Sequence, residues 1–260
     1  MLKHLRNGEG EPLLLLHGLG GTRVMWSPII EALAAEREIL APDLPGFGDS
    51  DPLEDVSPSP ANLAVALAEF CESEGILRPH VAGNSLGGWV ALEMGKAGYA
   101  ASVTTLSAAG MWGKPLGPKK TNVRRAAKAL RPFLGLILRT PSGRRAALAS
   151  NFGHPEKVPA DEARRMVLGW VDSQGYEEAN REMRAQIFDP AGYPDIPVTL
   201  AWGELDRLVA PPRPHRIPEG ARYIVLPGCG HTPTWDDPEL VTKTLLEGSS
   251  IEATQSTAAG

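Results

Sequence analysis

Gly83-Asn84-Ser85-Leu86-Gly87 matches the pattern G-x-S-x-G. It follows a short apolar stretch, His80–Gly83, and opens a second one, Leu86–Ala97. A sharp turn between a strand and a helix exposes the serine hydroxyl, and small flanking residues keep that turn free of clashes. A serine hydroxyl is hardly ionised at neutral pH, so a nucleophilic Ser85 needs a base. Six histidines are available. His4 lies near the start, His80 begins a strand, and His154 falls in a helical stretch. His215 sits in a Pro/Arg-rich loop, and His17 ends the first core strand. His231 follows a strand and the loop Gly228-Cys229-Gly230, which suits an aimed base.

A base of this kind needs a carboxylate to orient its ring. Asp206 stands just past a strand end in Trp202-Gly203-Glu204-Leu205-Asp206. Glu204 is the nearer rival. Asp236 and Asp237 follow His231 and read as caps of the last helix. A tetrahedral oxyanion needs two aimed N–H groups. Leu86, the residue after the nucleophile, supplies one. Leu19, in His17-Gly18-Leu19-Gly20-Gly21, supplies the other.

The elements that carry these residues alternate. Strand-like runs occupy Leu13–Leu16, Arg37–Ala41, His80–Gly83, Ser102–Ser107, Val198–Trp202 and Arg222–Leu226. Helical spacing occupies Trp26–Glu36, Ala61–Glu74, Leu86–Ala97 and Leu240–Leu246. Such alternation implies βαβ units and a mainly parallel, doubly wound α/β sheet. Residues 111–190 break it, with helical stretches and no convincing strand. The expected division is a core of 1–110 and 191–247, a helical cap at 111–190, and a disordered tail at 248–260. Within 121–139, Val123, Ala126, Ala127, Leu130, Phe133, Leu134 and Ile137 share one face, and Pro132 should split the helix.

Glycine and proline number 28 and 24 in 260 residues, too few for a low-complexity chain. The net charge of −5 disfavours a nucleic-acid partner. The charge is uneven: residues 111–190 carry 15 Lys/Arg and 8 Asp/Glu, and 111–145 carry ten basic residues and no acidic one. Two cysteines, Cys71 and Cys229, exclude a disulfide framework and a CxxC metal or redox motif. The longest early apolar run, Leu13–Leu16, is too short for a secretory signal or a membrane span. The expectation is a cytoplasmic protein without membrane contact.

Five segments together resemble the α/β-hydrolase superfamily, in its serine-nucleophile, cap-bearing branch. They are LLLLHGLGGT (13–22), APDLPGFGDSD (41–51), VAGNSLGGWVALEMG (81–95), WGELDRLVAP (202–211) and PGCGHTPTWDDPELV (227–241). The resemblance implies a triad of Ser85, Asp206 and His231 in that chain order, oxyanion donors at Leu19 and Leu86, and a cap over the pocket. Two departures matter. Haloalkane dehalogenases and epoxide hydrolases of this fold carry aspartate at the nucleophile position, so serine disfavours both. Many esterases have histidine where Asn84 stands, whereas Asn occurs there in carbon–carbon bond hydrolases of meta-cleavage products. Leu2–Asn7 can form one early strand, but the family's usual first strand is missing, which implies about seven strands rather than eight.

These readings converge on a serine hydrolase of small to medium, largely apolar carboxylic esters that needs no metal or organic cofactor. The alternatives are a carbon–carbon bond hydrolase using the same triad, a cofactor-independent lyase or perhydrolase, and a hydrolase-fold ligand receptor. Trp112 and Trp235 are the expected pocket residues, with Met111 and Phe133 as further apolar wall. Arg124, Arg125, Lys128 and Arg131 read as the polar, solvated side of the cap helix, able to steer anionic substrates.

Overall fold

The computed structural model describes residues 2–117 and 123–250. Seven strands form one sheet: β1 (His4–Asn7), β2 (Pro12–Leu16), β3 (Glu38–Pro42), β4 (His80–Asn84), β5 (Ser102–Leu106), β6 (Val198–Gly203) and β7 (Arg222–Leu226). Their order is β1-β3-β2-β4-β5-β6-β7. Only β1 runs antiparallel, against β3.

The leucine run of β2 explains why the sheet is doubly covered. Strand side chains alternate between faces. Leu14 and Leu16 enter the core beneath α2 (Pro60–Ser73) and α3 (Leu86–Lys96). Leu13 and Leu15 enter the opposite core beneath α1 (Ile30–Ala34) and α9 (Pro238–Gly248). A strand buried on both faces reads as an unbroken apolar run because neither side meets water.

Strand order reverses about β2. The chain steps from β2 to β3 on one side, then returns to place β4 on the other. In open parallel sheets a crevice forms at such a switch point, beyond the carboxyl ends of the strands. The loops after β2 and β4 flank it, and they carry Leu19 and Ser85.

Between β5 and β6 the chain inserts five helices: α4 (Val123–Ala129), α5 (Leu134–Ile137), α6 (Pro141–Leu148), α7 (Ala160–Asp172) and α8 (Tyr176–Ala185). Among the described residues this segment holds no strand. Pro132 does split the amphipathic stretch, into α4, a 3-10 turn at Arg131–Phe133, and α5. The insertion has its own apolar cluster, built from Leu134, Leu138, Leu148, Phe152, Val158, Ala163, Val167 and Val171.

Two expectations need correcting. Arg124 is not on a solvated face: it is buried. Its guanidinium donates to the carbonyls of Trp170, Val171 and Ser173, pairs with Glu177 at 3.2 Å, and lies 4.9 Å from the centre of the Tyr176 ring. It thereby satisfies carbonyls that a helix C-terminus leaves open. The final helix runs through Gly248, and Arg37 holds Ser249 and Ser250. The rest of the expected tail, 251–260, lies outside the described residues.

Replacing Arg124 by methionine leaves those α7 carbonyls without donors. The expected cost is about 1–3 kcal/mol, with protease cutting the insertion before the sheet unfolds. Equal protease resistance of variant and wild type would contradict this role.

Candidate active site

Ser85 sits between β4 and α3 with φ 55° and ψ −115°, a backbone region that residues other than glycine rarely occupy. Its N–H donates to Leu106 O at 3.0 Å, and its carbonyl accepts from Trp89 and Ala109. These bonds fix the turn from three directions. The turn closes only because glycines bracket it. A Cβ on Gly87 would stand 2.2 Å from Leu16 O, and one on Gly83 would stand 2.2 Å from Gly87 O.

His231 and Asp206 meet across the ends of β6 and β7. His231 Nδ1 and Asp206 Oδ2 are 2.8 Å apart, and both side chains are almost fully buried. Burial pushes the Asp206 carboxyl up. The hydrogen bond from His231 and the N–H groups of Val209 and Leu208 outweigh that and hold it below its ordinary range. An ionised Asp206 only accepts, so His231 Nδ1 carries the hydrogen and Nε2 keeps its lone pair.

Glu204 does not compete for His231. Its carboxylate accepts from Gly228 N at 2.8 Å and stays exposed. Asp237 caps α9 through Leu240 N, as expected. Asp236 does not. Its buried carboxylate accepts from Gly153 N, His154 N and Gly230 N at 2.7–2.8 Å. An N-terminus has one capping position, so of two adjacent aspartates one is free for other work. That was the signal available in the sequence.

The loop bearing His231 is held on three sides. Asn84 Nδ2 donates to His231 O at 2.7 Å and to Leu106 O at 2.9 Å. Thr232 N donates to Asn151 O of the insertion at 2.7 Å. Gly230 packs so closely that a Cβ there would lie 2.5 Å from Gly153 N. Asn84 is thus a tether between the serine turn and the histidine loop, a role its position in the motif did not reveal.

The loop after β2 lies against the serine. A Cβ on Gly18 would come within 3.1 Å of Ser85 Cβ. Among the described residues, neither Leu19 N–H nor Leu86 N–H is bonded to a protein acceptor. Buried His17 holds this loop: Leu44 N donates to Nε2 at 2.9 Å, and Nδ1 faces Gly18 O at 2.9 Å. Nδ1 therefore carries the hydrogen, and His17 is a neutral brace. Desolvation lowers its pKa. Cys71 and Cys229 are free and buried, and burial pushes both thiols up to about 12, so neither offers a thiolate.

A cavity of about 1170 Å³ joins these pieces. Ser85, His231, Gly18 and Leu19 line its base, and the insertion lines the rest. Val123, Ala126, Ala127, Leu130, Leu134 and Ile137 all face it. The apolar face of the split helix is therefore the cavity roof, which is why Val123 and Leu130 remain largely exposed. Of the expected wall residues, Trp112 lines the cavity. Met111, Phe133 and Trp235 do not. Met111 is buried in the core beneath. Phe133 falls in the Pro132 turn and points outward, 59% exposed. Trp235 packs against the insertion's apolar cluster.

A sequence profile described as the alpha/beta hydrolase family matches residues 13–244. The chain belongs to this family. Within it, the chain is 30% identical, over 92% of its own length, to the dihydrolipoyllysine-residue acetyltransferase component of the acetoin cleaving system of Pseudomonas putida, of which it spans 64%. It is 31% identical to epoxide hydrolase EphH of Mycobacterium tuberculosis, over 71% of its own chain and 92% of that protein. In fold it is similar to 2-hydroxy-6-oxo-6-phenylhexa-2,4-dienoate hydrolase from Rhodococcus sp. strain RHA1. That match has a TM-score of 0.73 at 23% identity, covering 96% of this chain and 95% of the other. The seven-stranded, mainly parallel sheet expected from the sequence is present. Among the described residues no helix is long and apolar enough to cross a membrane.

His17 makes stability depend on pH. The unfolded chain takes up its proton near pH 6.5, whereas the folded chain resists until lower pH. The His17 contribution is therefore fully present above about pH 6.5 and declines as pH falls below it. Denaturant unfolding at pH 7.5 and 5.5 should show a smaller pH difference in His17→Gln than in the wild type. Equal differences would rule out a neutral His17.

Proposed function

We propose that this α/β hydrolase cleaves carboxylic esters through an acyl-enzyme on Ser85. The observation that carries the reading is the buried 2.8 Å contact between His231 Nδ1 and Asp206 Oδ2, with His231 and Ser85 lining one cavity.

In this mechanism the substrate carbonyl sits over Ser85. Ser85 Oγ attacks as His231 Nε2 takes its proton. The oxyanion receives hydrogen bonds from Leu19 N–H and Leu86 N–H, which have no competing acceptor to give up. Asp206 keeps the His231 ring in the required tautomer and stabilises the imidazolium. His231 then returns the proton to the departing alcohol. A water molecule enters, His231 removes its proton, and the hydroxide attacks the acyl carbonyl to release the acid and free Ser85. The insertion acts as a cap, and its apolar α4–α5 face favours a largely apolar acyl or alcohol part.

One residue favours this over epoxide opening, and one bears on carbon–carbon bond hydrolysis. Epoxide opening on this fold uses an aspartate nucleophile, and the turn here presents serine. Asn84, the residue that pointed towards carbon–carbon bond hydrolysis, bonds to Leu106 and His231, an arrangement that either reaction can use, and turnover of p-nitrophenyl butyrate against a meta-cleavage product discriminates the two.

A fluorophosphonate probe should label the protein at Ser85 alone, and Ser85→Ala should abolish p-nitrophenyl butyrate hydrolysis while the fold is retained. Labelling elsewhere would overturn the assignment. Asp206→Asn should lower kcat by about 10⁴. If Glu204→Gln proved the more damaging change, Glu204 rather than Asp206 would be the orienting acid.

A further inference from the structure

The cavity is electrically lopsided. Among the described residues its lining contains no carboxylate, and its lysine and arginine side chains are Arg184 and Arg213 alone. Both lie along one short strip, residues 111–117, that leads out of β5. At its start Arg213 N donates to Met111 O at 3.3 Å. Arg213 Nε lies 3.8 Å from where a Gly113 Cβ would be. At the far end Arg184 Nε donates to Gly117 O at 2.8 Å.

Trp112 stands between them and is rigidly held. Its Nε1 donates to Gln186 O at 3.0 Å, and its ring meets Trp89 edge-on at 5.7 Å. The lining residues contributed by α5, α6 and α7, among them Leu134, Ile137, Ala146, Leu148 and Met166, carry no charge.

What sets the two arginines apart is their place in the cavity lining. Arg124, Arg131, Arg145, Arg165 and Arg181 of the insertion each pair with a carboxylate, whereas Arg125, Arg139, Arg144 and Arg164 have no ion pair among the described residues and do not line the cavity. Among the described residues neither Arg184 nor Arg213 has an ion pair. Arg213 follows Asp206 on the loop that Asp206 Oδ1 anchors through Leu208 N and Val209 N, so its backbone is tied to the proposed catalytic acid. A guanidinium fork matches a carboxylate in shape and charge. Arg213 is exposed and Arg184 half-buried, so their attraction for an anion is open to screening by salt.

We propose that the enzyme's substrates are esters bearing a carboxylate, which Arg213 and Arg184 hold at the Trp112 end while the apolar part fills the α5–α6 lobe. This substrate class rests on the ester-hydrolase reading above. It predicts a bipolar substrate rather than the wholly apolar one that the roof alone would suggest.

The test compares p-nitrophenyl hemiglutarate with p-nitrophenyl pentanoate on the full chain, above the uncatalysed rates. The wild type should prefer the hemiester by about tenfold or more in kcat/KM, and the preference should shrink as salt is added. Arg213→Gln should lower the ratio of the two kcat/KM values by about tenfold, with Arg213→Lys in between. Arg213 makes no side-chain bond among the described residues, so its replacement leaves folding intact. Arg184→Gln should also lower the ratio.

A wild-type ratio at or below one overturns the proposal, as does a ratio that neither arginine replacement changes. If the wild type turns over neither ester, the ester-hydrolase reading fails, and binding decides the anion site separately. Calorimetric titration of Ser85→Ala with monobutyl glutarate and dibutyl glutarate should then give tighter binding of the monoester, lost in the Ser85→Ala/Arg213→Gln variant. Equal binding of the two ligands overturns the arginine site.

Discussion

The close approach of the serine turn to the end of β2 is the constraint on which the rest depends. Gly87 lies so near Leu16 O that a side chain would have to overlap it. That contact places the start of α3 against the loop holding Gly18 and Leu19. It also forces Ser85 into a backbone conformation that would relax if the packing loosened. Strain of about 1–3 kcal/mol is usual for such a residue, and it persists because β2, β5 and α3 leave the turn no other path. The two backbone donors proposed for the oxyanion then come from loops on either side of one strand boundary, so their spacing is a property of the sheet.

His231 is organised by a different logic. Its ring is set by Asp206, but its backbone is set by Asn84, by Asn151 O and by the Gly230–Gly153 contact. One tether comes from the serine turn itself and the others from the insertion. The proposed nucleophile and the proposed base are thus linked by a hydrogen-bonded path through Asn84 that does not pass through solvent. Asp236 adds three N–H bonds at the same junction. Unlike an exposed ion pair, a buried carboxylate with every bond to backbone donors is little affected by salt.

Much of this was legible in the sequence because the relevant signals are local. Leu13–Leu16 reads as a doubly buried strand from four residues. Gly83–Gly87 encodes its own turn, and Ser85, Asp206 and His231 each follow a strand end. What was not legible depends on contacts between distant segments. The 111–190 stretch shows helices and Pro132 as a break, but amphipathicity alone does not say whether an apolar face meets a core or a cavity. Phe133 and Leu134 are neighbours in the sequence, yet the 3-10 turn sends one outward and the other to the roof. Arg124 looked like its solvated neighbours Arg125 and Lys128 because its partners, the carbonyls of Trp170, Val171 and Ser173, lie some fifty residues on. Met111 and Trp235 were expected in the pocket from their nearness to motif loops, and packing took both into apolar clusters.

The junction at Asn151–His154 bears on how this scaffold can be altered. A helical insertion that merely roofed the cavity could be exchanged for another by cutting in the connections after β5 and before β6. Here the insertion supplies one carbonyl, two N–H groups and a glycine surface to the histidine loop. A transplanted cap that lacked them would leave Asp236 buried without two of its donors and His231 free to swing, even with every triad residue present. Under the proposed mechanism, substrate range is altered by editing side chains on the roof, with the 151–154 segment kept together with the histidine loop.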